Sequence, residues 1–186
     1  MNEKPAPDGA RLTVPDPPLT DGVVTLVPFN GDHQRALERA PLDPEIALRF
    51  AAPDASPAEQ IAQDNERWRE GTAATFAICD STGRCLGGVS LEAGPVRRAD
   101  AGYWLLPEGR RKGLATRALA LAARWALLDA GFERVQLWTE PYNKPSQRAA
   151  DRAGFQREGV LRSYSEVNGR RCDAVIYSLV RSDLDD

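Results

Sequence analysis

Three cations in a row, Arg110-Arg111-Lys112, stand directly before Gly113-Leu114-Ala115-Thr116, between a stretch that reads as a strand and one that reads as a helix. A turn in that place leaves several backbone N–H groups unpaired at a helix N-terminus, where the peptide dipoles favour an anion. Small residues at 113 and 115 let a phosphate come close to the backbone, and the cations suit more than one phosphate. The chemistry indicated is a grip on a pyrophosphate. Two common phosphate motifs do not fit: Gly109 and Gly113 are too close for a P-loop, and Gly-x-Gly-x-x-Gly does not occur. A solvated basic turn, with Gly113 merely easing a bend, is the plain alternative.

Other chemistries are narrowed by composition. His33 is the only histidine, so a Ser–His or Cys–His pair would have to use it. It lies in Asn30-Gly31-Asp32-His33, where a solvated position at a helix start is expected. Cys79, Cys85 and Cys172 form no C-x-x-C pair, which speaks against a zinc site and a disulfide framework and for buried free thiols in a reducing, cytoplasmic compartment. No metal is expected. The formal net charge of −3 disfavours a nucleic-acid partner held by bulk electrostatics. No apolar run reaches bilayer length, and the first residues lack the apolar core of a signal peptide, so no membrane partner is expected.

The elements that must position the turn can be read from periodicity. Five prolines fall within the first eighteen residues, and we read residues 1–19 as a mobile, disordered tail before one domain over 20–186. Removing 1–18 is expected to leave stability unchanged. Residues 23–29 alternate as a strand, 32–38 suit a helix, and Ser56-Pro57-Ala58-Glu59 is a capping box opening a helix that runs to Gly71. Strands follow at 75–79 and 85–91 around a turn at 80–84, then at 100–106. The strongest helix starts at Gly113, with Leu114, Ala118, Leu121, Trp125 and Leu128 on one face and Gly131 as its stop. A strand at 135–139 and a helix at 146–153 come next. Strands near 158–167 and 172–180 close the chain around Asn168-Gly169, a hairpin signal. The order is that of an α+β domain with a mixed sheet, not a doubly wound one.

Arg110-x-x-Gly113-x-Ala115 resembles the acyl-CoA pyrophosphate signature of the GNAT acetyltransferase superfamily. The flanks sharpen the likeness: Ala101-Gly102-Tyr103-Trp104-Leu105-Leu106-Pro107 before it, Asn143-x-x-Ser146 and Gly154-Phe155-x-x-Glu158-Gly159 after it, and Asp173…Tyr177-Ser178-Leu179 near the end. Together these are similar to the RimJ/RimL-type ribosomal-protein N-terminal acetyltransferases, over roughly residues 23–183. The resemblance implies a mostly antiparallel sheet splayed in the middle and flanked by helices, with acetyl-CoA as cosubstrate. Backbone groups at Leu105, Leu106 and Pro107 would hold the pantetheine arm and polarise the acetyl carbonyl. Arg110, Arg111, Lys112, Gly113, Leu114, Ala115 and Thr116 would hold the pyrophosphate. Asn143 would cap the short helix and Ser146 would face the sulfur.

Direct attack by an amine then needs a proton for the departing thiolate. Many GNAT members supply it from a tyrosine four residues before Gly-Phe; here that position is Ala150, so Ser146 is the candidate. The base is open between Asp100 and Glu166, and for Asp100 a surface pair with Arg97 or Arg98 is the plain alternative. The implied activity is acetylation of a primary amine, with a protein N-terminal α-amine favoured over an aminoglycoside or polyamine. A non-catalytic acyl-CoA-binding module and a nucleic-acid-binding domain are the rivals, and a homodimer stays open.

Overall fold

The computed structural model describes residues 9–50, 54–167 and 169–184. Its elements are β1 (Leu19–Thr20), β2 (Val24–Pro28), α1 (Gln34–Arg39), α2 (Pro44–Ala47), α3 (Pro57–Glu70), β3 (Ala73–Asp80), β4 (Cys85–Gly94), β5 (Arg98–Leu105), α4 (Leu114–Leu128), β6 (Arg134–Thr139), α5 (Lys144–Arg152), β7 (Gln156–Val167) and β8 (Arg170–Val180). The strands form one sheet in the order β1-β2-β3-β4-β5-β6-β8-β7. The capping box of α3 forms as the sequence predicts, with Ser56 and Glu59 satisfying each other's backbone N–H and Gly71 closing the helix at φ 74°. Two short elements, β1 of two residues and α2 of four, escape periodicity because each spans only about one repeat of its own pattern. In the β7–β8 hairpin Gly169 has φ 70°; its expected partner Asn168 lies outside the described residues.

All neighbouring strands run antiparallel except β5 and β6, which are parallel and share only three paired positions, Arg98↔Arg134, Ala99↔Val135 and Asp100↔Gln136. Beyond Asp100 the two strands separate. β5 stays paired with β4 as far as Leu105↔Gly87, and β6 stays paired with β8 as far as Thr139↔Val175. The mixed, splayed sheet expected from the resemblance is therefore present, with a gap bordered by residues 101–105 on one side and 137–139 on the other.

Helix α4 covers one sheet face. Its buried side chains alternate large and small, with Ala118, Ala122, Ala123 and Ala126 allowing close approach and Leu119 and Leu127 filling the space between. Trp68, Phe76 and Trp125 interlock edge to face at its side, the ring centroids of Phe76 lying 5.0 and 5.7 Å from the two indoles. On the other face Trp104 stacks on Phe29, beside Leu37 and Ala77. Among the described residues no helix is long and apolar enough to cross a membrane.

The tail expectation needs correction from Gly9 onward. Leu12 is 0% exposed and Ala10 is buried, both within the core against α4. Arg11 N–H donates to the Ala130 carbonyl at 3.0 Å and its guanidinium to the Arg69 carbonyl at 2.6 Å, while Leu19 and Thr20 pair with β2. Leu12, Ala10 and the Arg11 backbone dock this extended segment, and Pro15, Pro17 and Pro18 after it have little backbone freedom left to lose. Residues 1–8 lie outside the described residues. Leu12→Ala is accordingly expected to destabilise by about 3 kcal/mol, a drop of roughly 10 °C in Tm, read by thermal denaturation. An unchanged Tm would mean the segment does not dock.

His33 also departs from expectation. It starts a helical turn, but it is buried rather than solvated. Its Nδ1 accepts from Asn30 N–H at 3.2 Å, which puts the ring hydrogen on Nε2, 3.6 Å from Cys79 Sγ, and its ring meets Phe29 edge-on. Phe29, just before the turn, and Cys79, 46 residues away, create this pocket. Burial lowers the His33 pKa below 6.5 despite the nearby Asp32 charge. The unfolded chain then binds a proton that the native state refuses, so stability falls as pH drops below about 6.5. NMR titration of this single imidazole is expected to give a midpoint under 6.5, and His33→Gln to flatten the fall in Tm between about pH 7 and 5.

Candidate active site

The turn between β5 and α4 begins as a 3-10 turn over Pro107–Gly109 and then passes through two left-handed residues, Arg111 at φ 60° and Gly113 at φ 76°. A Cβ built on Gly113 would meet nothing within 4 Å. The glycine thus serves the positive φ and leaves open space outside the turn. From Arg111 to Thr116 no backbone N–H has a hydrogen-bond acceptor among the described residues; the first helical bond is Arg117 N–H to the Gly113 carbonyl. Six successive N–H groups at the positive end of a fifteen-residue helix are thus without a protein acceptor. Leu114 is buried and anchors the turn, Ala115 and Thr116 are half-buried, and Arg111, Lys112 and Gly113 are exposed.

Arg110 is placed differently from its sequence-based role. Its Nε donates to the Leu105 carbonyl at 3.1 Å, one terminal nitrogen pairs with Asp43 and the other lies 3.4 Å from Glu45. The side chain ties the start of α2 to the end of β5 instead of facing the turn's open side. Arg111 and Lys112 are the cations left at the mouth. Glu108 pins the same turn from below, bound by Arg39 at 2.6 Å and Arg84 at 2.7 Å, and the hydrogen bonds from Arg39 hold its pKa down to about 2.

Leu105 and Leu106 stand at the open end of the gap. Leu106 is buried, its N–H bonded to the Leu86 carbonyl at 2.9 Å, and the Leu105 carbonyl is taken by Arg110. The gap-facing backbone of 101–105 and 137–139 has no ladder across it, so an extended guest carrying amides could bond there as an added strand.

Across the gap, Asn143 caps α5 by accepting from Ser146 N–H at 3.3 Å. The Tyr103 hydroxyl donates to Ser146 Oγ at 3.0 Å. Burial raises the Tyr103 pKa above 10, only partly offset by the bond to Ser146 and the charge of Arg49. A tyrosine therefore does reach this point, from β5 and not from α5, where the buried Ala150 sits in the core. Sequence reasoning missed it by looking four residues before Gly154-Phe155; Tyr103 shares the alternation of Ala101 and Leu105, the only signal available. Glu140 and Arg49 were missed as well. Glu140 is 2% exposed, yet Arg49 lies 3.1 Å away and Asn143 Nδ2 donates to it at 3.1 Å.

The two candidate bases are not brought to this spot. Asp100 sits at the closed end of the gap, bound by Arg98 at 3.0 Å and by Gln136 Nε2 at 2.7 Å, and strand alternation puts it on the opposite face from Tyr103. The plain alternative is the observed one, with Arg98 as partner and Arg97 paired instead to Glu133. Glu166 is exposed near the tip of the β7–β8 hairpin, opposite Arg171, while the β6–β8 pairing ends at Val175. That is four strand positions further on, about 13 Å along the chain.

Comparison with known proteins agrees with this geometry. A family model described as an acetyltransferase (GNAT) domain matches residues 24–156. An uncharacterized N-acetyltransferase of Bacillus subtilis, YoaA, is 35% identical over 85 residues, 46% of this chain and 48% of YoaA, so the match spans about half of that relative's length. Among solved structures, Mycobacterium smegmatis RimJ in complex with CoA-disulfide has a TM-score of 0.77 at 24% identity, over 91% of this chain and 87% of that one. A Vibrio cholerae spermidine N-acetyltransferase in complex with CoA and spermine also has a TM-score of 0.77, at 18% identity, over 89% and 100%. At such identities the two structures speak for the fold, and the family match covers the strands, turn and helices that build the gap: the chain belongs to the GNAT acetyltransferase domain family.

Proposed function

We propose that the protein transfers an acetyl group from acetyl-CoA to a primary amine. The observation that carries this reading is the row of six acceptor-less N–H groups from Arg111 to Thr116, set directly beside the open gap between β5 and β6. The donors would take the pyrophosphate, with Arg111 and Lys112 adding charge, and the gap would take the amide-bearing arm. Acetyl-CoA supplies a thioester, whose carbonyl carbon an amine can attack and whose thiolate then leaves and needs a proton.

The protein's part is orientation and proton delivery. Ser146 Oγ accepts from Tyr103 and donates to no acceptor among the described residues, so its own hydrogen can go to the departing sulfur while Tyr103 replaces it. The amine nitrogen bonds the carbonyl carbon as the C–S bond breaks, the proton that nitrogen loses goes to water, and water returns one to Tyr103, so Ser146 and Tyr103 end as they began. The raised pKa of Tyr103 keeps the phenol protonated at neutral pH. This pair answers one of the two grounds for a non-catalytic module, the tyrosine missing at position 150; the other, an unassigned base, is met only by an acceptor that is easily neutralised.

Since Asp100 and Glu166 are engaged or distant, an acceptor that is easily neutralised fits best. An α-amine costs about 1 kcal/mol to deprotonate at pH 7, a lysine side chain about 4.6. We therefore favour an N-terminal α-amine. A polyamine is the second reading, favoured by the fold shared with the spermidine N-acetyltransferase. Three free cysteines suit a reducing cytoplasm.

An acceptor screen read by thiol release, with peptides bearing free N-termini beside spermidine and aminoglycosides, tests the activity and its acceptor. Release with no acceptor in the panel stimulating it would overturn the transferase reading. Gly113→Glu is expected to abolish most acetyl-CoA binding by calorimetry, because it forces a side chain into a left-handed position and sets a carboxylate in the anion's space. Wild-type affinity in that variant would refute the pyrophosphate assignment. Ser146→Ala and Tyr103→Phe are each expected to lower kcat by about 10- to 100-fold, with acetyl-CoA affinity little changed. If turnover limited by chemistry is unaltered in both, the proton must come from elsewhere.

A further inference from the structure

Glu140 is a buried carboxylate that the reaction as described does not use. It lies at the end of β6, and its Oε2 accepts from Asn143 Nδ2 at 3.1 Å, from Thr139 Oγ1 at 3.3 Å and from Arg49 Nε at 3.3 Å, while Oε1 stands 3.1 Å from the same Arg49 nitrogen. Its backbone carbonyl holds Gln147 of α5. The chain after α2 therefore meets the short connection between β6 and α5, 91 residues further on, at one side chain. Burying such a charge without partners costs several kcal/mol, yet the group stays ionised. Burial pushes its pKa up, and its own N–H, the Asn143 amide and the Arg49 charge more than reverse this.

The partners are ordered in a chain. Because Glu140 accepts from the amide nitrogen of Asn143, the Asn143 oxygen must face Ser146 N–H, and Ser146 Oγ then stands 3.0 Å from the Tyr103 hydroxyl. We propose that Glu140 is a positioning residue for acetyl transfer, locking the Asn143 carboxamide and the Arg49 guanidinium together and thereby setting the Ser146–Tyr103 pair. The proposal rests on the reading of that pair as the proton source. A glutamine cannot replace the carboxylate in this place. With its oxygen in the Oε2 place it keeps Asn143 but sets an NH2 where Oε1 stood, 3.1 Å from Arg49 Nε, donor against donor, and removes the charge that holds the guanidinium. Turned the other way, its amide nitrogen faces residue 143, the Asn143 carboxamide turns over and Ser146 is released.

The test is a double-mutant cycle on the full chain. It uses Glu140→Gln, Tyr103→Phe and the two combined, with kcat and KM from thiol release, acetyl-CoA binding from calorimetry, and Tm. Glu140→Gln is expected to lower kcat about tenfold, less than loss of a proton donor itself, while KM for acetyl-CoA stays within about twofold. In the Tyr103→Phe background the same change is expected to cost no more than about a further twofold, because both act through one group. A merely structural role predicts losses that multiply in the two backgrounds, and that result, or an unchanged kcat, overturns the proposal. If Glu140→Gln does not fold, the neutral pair Arg49→Gln with Glu140→Gln enters the same cycle, and failure of that pair to fold assigns Glu140 to stability alone. If Tyr103→Phe and Ser146→Ala both leave kcat unchanged, the proton-source reading itself falls. If they slow turnover and Glu140→Gln does not, only the role of Glu140 falls.

Discussion

The parting of β5 from β6 after Asp100↔Gln136 is the constraint on which the rest of the structure depends. A sheet normally continues its ladder, since unpaired strand edges inside a protein leave polar groups without partners. Here β5 is held to the other side. A Cβ on Gly87 would come within 2.2 Å of the Trp104 carbonyl, so only glycine lets β4 draw β5 this close along its final residues. Arg98 and Gln136 clamp Asp100 where the strands still touch, and that carboxylate marks the vertex of the gap.

Around this opening, two sets of ion pairs fix loops that have little core of their own. Arg110 joins Asp43 and Glu45 to the end of β5, and Glu108 gathers Arg39 and Arg84 beneath the turn. Exposed pairs contribute little to stability singly. Their effect here is geometric: α1, α2 and the turn before α4 are referred to the same strand end, so the N–H row from Arg111 to Thr116 keeps a common frame with these two helices.

Most of the fold was legible because it is local. Leu114, Ala118 and Trp125 announce α4 by spacing, Ser56 and Glu59 announce α3 by capping, and the cations before Gly113 announce an anion site by position. What was not legible is long-range. Tyr103 and Ser146 are 43 residues apart, and nothing in either segment shows that a splayed strand brings them into contact. Arg110 looked like a phosphate ligand because its type suits one, but the carboxylates of α2, a four-residue helix too short for periodicity, claim it first. Leu12 was hidden by its proline neighbours, and His33 by polar neighbours that say nothing of Phe29 and Cys79 beneath it.

Recognition in this site is divided between backbone and side chains, and the division explains which parts a sequence can reveal. In the proposed reading the pyrophosphate donors are main-chain N–H groups, and such a motif would demand only a left-handed glycine, small neighbours and a helix start; many side chains satisfy it. Proton delivery is the reverse case, because a hydroxyl must stand at one point within a few tenths of an ångström. In the proposed arrangement that point follows from a run of contacts, Asn143 with Ser146, Glu140 with Asn143 and Arg49 with Glu140. On that reading a movement of the chain after α2 would reach Ser146 through Glu140 and Asn143, without any contact between Arg49 and Ser146 themselves.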